Sequence, residues 1–348
     1  MKKVIYSIII LCLFISVQNL KAQNLDQTLN QLADVAVKPY VAPAISAFGS
    51  NLNSGWVSEL PSASMLSFHL NFKIVAMGSF FNSDQKTFSQ DGSVTLSNLA
   101  INNVLQSSGY TPGSTQYNNL STALSNQKIN VNFAGPTIIG DKNKNVILTI
   151  PQQTFTYGGN QYTVQKTSVP FDSVKGKLGN LPAFPSAALQ ASIGTVFGTN
   201  ISVRYFPEVN IKDLGKFSFW GLGFIHNVNG WLPVPLPLDL GIGYFYQKLK
   251  VGDVFESDAN QFGIYASKKL GFFTPYAGLT TEKSKTTVSY TYKSNPTDTG
   301  TKISFDQEGV NSTGAMIGFS LNLAIFKLNV DYKAAKISTA TVGITFGN

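Results

Sequence analysis

The chain has 348 residues, a formal charge of +8, 13% charged residues, 12% aromatic residues, 30 glycines and one cysteine. That charge density is about half of the roughly 25% in ordinary soluble domains, and the basic residues are scattered lysines, which argues against nucleic-acid binding. The lone Cys12 excludes a disulfide framework, and no stretch after the leader has the 18 consecutive apolar residues of a helical span.

Lys2 and Lys3 precede an apolar run from Val4 to Val17, followed by Leu20-Lys21-Ala22-Gln23. A basic start, a short apolar core and a small residue predict a signal peptide over 1–22, cleaved after Ala22. Cys12 follows Leu11, where a lipobox needs a small residue, so it is not read as a lipidation site. Without Lys2, Lys3 and Lys21 the charge falls to +5.

Residues 23–61 carry a helical period. Leu25, Leu29, Leu32 and Ala36 recur up to Lys38-Pro39, and Ile45, Phe48, Leu52 and Trp56 recur after Pro43. Ala42, Ala44, Ala47, Gly49 and Ser50 keep the second piece thin. The expectation is a helical plug inside a barrel; the alternative is a helical pair on its periplasmic side. A plug with those apolar residues requires lumen wall that is partly apolar, since burying each is worth about 1.5–3 kcal/mol.

Period-two alternation then takes over. Met65 to Ala76 sets Leu66, Phe68, Leu70, Phe72 and Ile74 against Ser67, His69, Asn71 and Lys73. A polar region follows, with weak helical patterns at Leu96–Leu105 and Leu120–Leu124, β-like pieces at Ile129–Phe133, Val146–Tyr157 and Gln161–Val169, and a hairpin turn at Gly158-Gly159. From Ala187 the strands Ala188–Phe197, Asn200–Phe206, Lys216–Ile225, Leu238–Lys250, Gln261–Lys268 and Phe273–Glu282 are regular. Three more lie between Asn311 and Phe346, each about ten residues, the length that crosses a bilayer when tilted. Short links at Gly198-Thr199, Lys269–Phe272 and Ala324-Ile325 alternate with longer ones at Pro207–Gly215, Val251–Asn260 and Lys283–Val310. Short links belong on the periplasmic side, and the long Asn227–Pro237 connection is the exception. The reading is all-β: a transmembrane antiparallel β-barrel over 62–348, of roughly 12 to 14 strands if two to four come from the middle, with an N-terminal helical plug.

The chain also resembles a family of outer-membrane barrels of unassigned activity common in Bacteroidota. The residues that carry this are Asn53-Ser54-Gly55-Trp56, Asp84 to Phe88, Gly135-Pro136-Thr137-Ile138-Ile139-Gly140-Asp141, Leu181-Pro182 with Phe184-Pro185, Val203-Arg204-Tyr205-Phe206-Pro207, His226-Asn227 leading to Gly230-Trp231-Leu232-Pro233, and Leu236-Pro237-Leu238-Asp239. The resemblance implies a barrel and no particular activity. A looser architectural likeness is to long-chain fatty-acid transporters, which also begin with a helical plug.

Catalytic sets do not assemble. His226-Asn227-Val228-Asn229-Gly230 has the His, Asn and Gly spacing of outer-membrane phospholipases, but Val228 stands where a Ser nucleophile is required. His69, the other histidine, reads as a lumen wall residue, and no metal-ligand spacing exists. The glycine pairs Gly221/Gly223 and Gly241/Gly243 read as thin or bent wall. Lys73, Arg204, Asp239, Lys327, Asp331 and Lys333 lie opposite the apolar face, where lipid would cost a mid-bilayer cation about 2–4 kcal/mol. They are expected in the lumen, either as a static ion-pair network or as a selective constriction, with Asp239 the partner for Arg204, the only arginine. The functional expectation is a channel or transporter without cofactor, small hydrophobic solutes being one cargo class; the alternative is a surface-interaction barrel with partner-binding loops. Expected partners are outer-membrane lipids and the barrel assembly machinery, which an aromatic residue near the end, Phe346, would engage.

Overall fold

The computed structural model describes residues 33–347 apart from 65, 97, 126, 173, 180, 212–214, 234–235 and 293–300. The leader 1–22 and the helical positions Leu25, Leu29 and Leu32 therefore lie outside the described residues. In chain order, a π-helical turn at Ala33–Val37 leads into α1 (Lys38–Leu52) and β1 (Leu66–Phe80). Next come β2 (Thr87–Val94), α2 (Asn98–Ser107), α3 (Thr115–Ser125), β3 (Ile129–Pro136), β4 (Val146–Ile150), β5 (Gln153–Tyr157), β6 (Asn160–Val164) and β7 (Thr167–Phe171). The remainder is β8 (Ala183–Val196), β9 (Thr199–Ile211), β10 (Gly215–Asn227), β11 (Asp239–Val251), β12 (Phe255–Ser267), β13 (Phe273–Tyr292), β14 (Thr301–Glu308), β15 (Thr313–Asn322), β16 (Phe326–Ala334) and β17 (Thr339–Gly347).

Two compact units emerge. One holds residues 44–82, 182–288 and 306–348; the other holds the remainder, of which 33–43 and most of 83–181 and 289–305 are described. In the first, β1, β8 to β13 and β15 to β17 pair antiparallel into a sheet that closes where β12 meets β13. The barrel thus has ten strands, not 12 to 14. The nine strands read after Ala187 and the first strand make the whole ring. The middle pieces were miscounted because they are too short to span: β4 to β7 have five residues each, where a membrane strand needs about 9–11. Pro151, between β4 and β5, splits what reads as one run.

Polarity is inverted relative to a soluble barrel. Along β1, Phe68 (72% exposed), Leu70, Phe72 and Ile74 point outward while Lys73 is buried. Ile317 and Leu279 continue the outer belt at 69% and 68% exposure. On β16 and β17 the buried positions are Asn329, Asp331, Lys333, Thr339, Thr341, Gly343 and Thr345. An apolar exterior, a polar interior and a sheet without edges satisfy the conditions for crossing a bilayer.

Links at residues 197–198, 228–238, 268–272 and 323–325 share one end of the barrel. At the opposite end the expected loops Pro207–Gly215 and Val251–Asn260 are largely strand, since β9 reaches Ile211 and β12 starts at Phe255. Acidic and amide residues break the apolar pattern of these extensions (Glu208 and Asn210 in one, Glu256, Asp258 and Asn260 in the other), so alternation did not reveal them. Opposite charges across the hairpins hold them instead: Lys216 with Glu208 at 3.1 Å and Lys248 with Glu256 at 2.5 Å. The expected loop Lys283–Val310 likewise contains the end of β13 and all of β14.

The other unit contains two small sheets, β2-β3-β4-β7 and β5-β6, with α2 and α3 where the helical patterns predict them. Gly158 and Gly159 form the predicted turn, both with positive φ (57° and 78°). Its core includes Ile101, Leu105, Leu120, Leu124, Ile129 and Phe133. Tyr40 is buried here; its hydroxyl donates to the Lys175 carbonyl at 2.7 Å, and burial pushes its phenol pKa up. Lys38-Pro39 does not break the helix as the sequence suggested. Pro39 falls in the first turn of α1, where a missing N–H is harmless.

Candidate functional site: a segment threaded through the barrel

Within the barrel unit, Ala44 to Pro61 makes polar or ring contacts with each of the ten wall strands. At the end distant from the short links, Ser50 Oγ lies 2.7 Å from Thr339 Oγ1 of β17, and Asn51 Nδ2 donates to the Phe184 carbonyl of β8 at 2.8 Å. Asn53 Nδ2 donates to the Lys283 carbonyl of β13. Farther along, Ser320 of β15 donates to the Ser58 carbonyl at 2.6 Å, and the Leu60 amide donates to Ser267 Oγ of β12 at 3.2 Å. Asn227 of β10 donates to the Pro61 carbonyl at 2.7 Å. The segment therefore runs inside the ring, from the far end to the short-link end, where β1 begins.

A helix leaves its last carbonyls without intrahelical partners. In α1 the chain that follows meets them: the Asn53 amide donates to the Gly49 carbonyl, the Ser54 amide to Asn51 and Trp56 Nε1 to Leu52 at 3.1 Å. The non-helical turn past Leu52 has carbonyls of its own, and these meet cations from the wall. Lys73 Nζ of β1 donates to the Gly55 carbonyl at 3.0 Å, and Arg204 Nη2 of β9 donates to the Ser54 carbonyl at 3.0 Å. Lys333 of β16 reaches the Asn53 carbonyl at 3.3 Å, which also accepts from Gln261 Nε2 of β12 at 2.8 Å. Gly55 makes this turn at φ +70°, and a Cβ there would stand 2.7 Å from Val75 Cγ2.

All six charged lumen candidates are accounted for, three of them in this cradle. Lys333 also pairs with Glu282 at 2.5 Å, both side chains buried. Asp331 accepts from Tyr276 Oη at 3.1 Å. Lys327 pairs with Glu59 of the threaded segment at 2.5 Å. The expected Arg204–Asp239 pair does not form. Arg204 shares a register row with Gly221 and Gln247, eight residues along β11 from Asp239, roughly 25 Å of strand. Arg204 instead donates to Gln190 Oε1 and Gln247 Oε1, each at 3.1 Å, and its guanidinium lies 3.8 Å from the Trp56 ring centre. Asp239 accepts from Asn227 Nδ2 at 2.8 Å. The exceptional long connection at Asn227–Pro237 thus begins with a residue that grips the threaded segment.

Apolar residues of the segment meet apolar residues of the wall. Leu52 packs with Val75, Met77, Ala188, Phe219, Leu249 and Val251, and Phe48 joins them. Phe48 meets Phe255 edge-on at 5.5 Å, and Ile45 is buried. Trp56 stacks on Phe245 at 5.1 Å, and Tyr265 closes the group from the far side of Phe245. Space for these rings comes from glycines: a Cβ on Gly223 would stand 2.7 Å from Phe245 Cδ1, and one on Gly263 2.3 Å from Tyr265 Oη. Gln190, Gln247, Gln261 and Glu282 were missed by sequence reasoning. Their signal was a polar residue on the inward face of an alternating strand.

Below Trp56, toward the short links, lies a cavity of about 450 Å³. Its wall includes Asn71, Gln190, Ser192, Asn200, Ser202 and Thr345. His69 also lines it. The His226 motif is structural. Trp231 Nε1 donates to His226 Nε2 at 2.7 Å, which leaves the Nδ1 proton for Thr199 Oγ1 at 2.9 Å. Among the described residues no three His, Cys, Asp or Glu side chains group to hold a metal ion.

A family model described as "Family of unknown function (DUF6588)" matches residues 1–348. No curated protein matches the chain. Solved structures similar to it include an in-vitro folded trimer of the outer-membrane protein OmpT of Vibrio cholerae (10% identity, 82% of this chain and 100% of that one, TM-score 0.22). Others are the beta domain of the Bordetella autotransporter BrkA (8%, 80% and 98%, TM-score 0.32) and Salmonella typhi OmpF in complex with daunomycin (10%, 82% and 98%, TM-score 0.23). At such TM-scores the fold rests on the strand pairing itself.

Proposed function

We propose, for a chain that belongs to DUF6588, a family of unknown function, that it is a gated outer-membrane channel held closed by Ala44 to Pro61. The observation that carries this reading is the threaded segment in contact with every wall strand, with its buried carbonyls at 53–55 held by Lys73, Arg204 and Lys333. Passage then requires the segment to withdraw. A small hydrophobic solute would take the wall that Phe48 and Leu52 now cover. In this reading the leader 1–22 exports the chain to a Gram-negative outer membrane, its lipids wet the apolar belt, and the assembly machinery inserts it. A second reading, a surface-interaction barrel, draws support from the folded insertion Ser83–Leu181, which presents Ile147, Tyr157 and Val169 to solvent.

Planar-bilayer conductance separates the two. Ser50 and Thr339 touch across the lumen, so a Ser50→Cys/Thr339→Cys pair can lock the segment in a mature chain with no other cysteine. The intact protein should show occasional openings, the oxidised pair none, and a folded deletion of residues 24–59 a large steady conductance. A folded deletion that conducts no better than the intact chain would falsify the gate.

A further inference from the structure

We infer that the cavity at the short-link end is a binding site for a neutral polyhydroxylated solute, of the size of a small saccharide. This goes beyond the channel reading, whose apolar route is the wall under Phe48 and Leu52, by naming a different class of molecule that meets the closed gate from this end, and it rests on that reading for its meaning.

Size is the first argument. About 450 Å³ lies within the range of roughly 300–1,000 Å³ typical of small-molecule sites. The mouth of an otherwise filled barrel is a concave position that a solute reaches without displacing the segment.

Chemistry is the second. Four neighbouring strands present uncharged hydrogen-bonding groups side by side: Thr345 on β17, Asn71 on β1, Gln190 and Ser192 on β8, and Asn200 and Ser202 on β9. The register makes them contiguous, since Lys73 pairs with both Thr345 and Gln190, and Ser192 pairs with both Asn71 and Ser202. Ion pairing and hydrogen bonding occupy the nearby charges. Lys327 is paired with Glu59, Lys73 is held by the Gly55 carbonyl, and Asp239 is held by Asn227. Lys269 stands exposed at the rim. An anion or a cation would have to compete with these bonds, whereas a neutral solute would not.

The third argument is incomplete pairing. Asn71 Oδ1, Asn200 Oδ1 and Thr345 Oγ1 are buried and have no hydrogen-bond partner among the described residues. Buried polar groups are ordinarily satisfied; these three belong to side chains that line the cavity, and a rotamer change at each would turn them toward a solute. A hydroxyl both donates and accepts, so a polyol satisfies an amide in either orientation and a threonine hydroxyl in any rotamer. An apolar molecule would leave all three unpaired.

Trp56 lines the cavity and reports on it. A Trp220→Phe/Trp231→Phe variant of the full chain in detergent leaves Trp56 as the only tryptophan. It is titrated with maltose as the neutral probe, glucose 6-phosphate as the anionic one and decanoate as the apolar one. The expected result is a saturable Trp56 shift with maltose, at least tenfold weaker responses to the other two, and at least a tenfold loss of maltose affinity in Asn71→Leu/Thr345→Val. Heat-modifiable mobility confirms that each variant is folded. No response to maltose, an equal response to decanoate or the phosphate, or full maltose affinity in a folded double variant each overturns the inference. Binding in detergent needs no passage, so a silent channel with normal binding would count against the gate alone, and a working gate without binding against the site alone.

Discussion

Glu282 and Lys333 face each other at 2.5 Å inside the barrel, with side chains 1% and 3% exposed. Each ion lost several kcal/mol of hydration on burial, and their attraction, with the extra bonds from Gln261 and to the Asn53 carbonyl, offsets that loss. Removing one partner leaves the other charge uncompensated. Glu282→Gln is therefore expected to destabilise the barrel by about 3–5 kcal/mol, seen as a lower temperature for the heat-induced gel shift. Adding Lys333→Met removes the stranded charge and should recover at least half of that loss, the remainder reflecting the lost bond to Asn53. A double variant no more stable than Glu282→Gln would show that the pair is not what holds this row of the lumen. Inward placement of Lys73, Arg204, Asp331 and Lys333 was legible from alternation alone, because each sits one residue out of phase with a lipid-facing apolar residue. Their partners were not. A partner depends on register between strands distant in sequence: Arg204's row meets β11 at Gln247, eight residues from Asp239, while Gln190 lies beside it on β8.

At the scale of the element, the same period-two signal located each wall strand and failed at two kinds of place. It stopped early on one arm of two hairpins, where Glu208 and Asn210 continue β9 and Glu256, Asp258 and Asn260 begin β12 and break the apolar pattern. It also overcounted in the middle, because five-residue strands alternate as well as thirteen-residue ones do, and length had to decide. Gly221/Gly223 and Gly241/Gly243 were read as thin or bent wall, and the rings of Trp56 and Phe245 and the side chain of Leu60 lie within about 3 Å of where their Cβ atoms would stand. Two further strand glycines, not singled out in the sequence, do the same for Tyr265. The Tyr265 ring lies over Gly263 and across to Gly278, where added Cβ atoms would stand 2.3 Å and 2.5 Å from it. Gly263→Val should push that ring toward Phe245 and Trp56, costing about 1–3 kcal/mol as overpacking, with a change in Trp56 emission. Wild-type stability and emission together would mean that the ring has room to move aside. Phe346 belongs to the same scale. It pairs with Phe72 and Phe326 and is the next-to-last residue of β17, so deleting residues 346–348 should lower the yield of heat-modifiable barrel, and undiminished yield would remove Phe346 from the assembly signal.

For the molecule as a whole, the telling feature is where the long insertion enters. The chain leaves β1 at Phe80 and re-enters β8 at Ala183, and these two residues are register partners in one antiparallel pair. Topologically, everything between them is a hairpin loop, whatever its length. The ring closes through β12 and β13 without it, and the grip on the threaded segment comes from Lys73, Gln190, Arg204, Gln261, Ser320 and Lys333, none of them in the insertion. The insertion in turn has its own sheets and its own buried Leu105, Leu120 and Phe133. Replacing Ser83–Leu181 by a short glycine-containing turn should therefore leave a heat-modifiable barrel with unchanged Trp56 emission. The same replacement removes the partners of Tyr40, whose hydroxyl bonds to Lys175 and whose carbonyl accepts from the Ile138 amide at 2.9 Å. Residues before Ala44 should then become cleavable by added protease while Ala44 to Pro61 stays protected inside the ring. If the shortened chain fails to assemble, the insertion is part of the barrel's folding rather than a loop upon it. If cleavage instead reaches Trp56, the lumen contacts alone do not hold the gate.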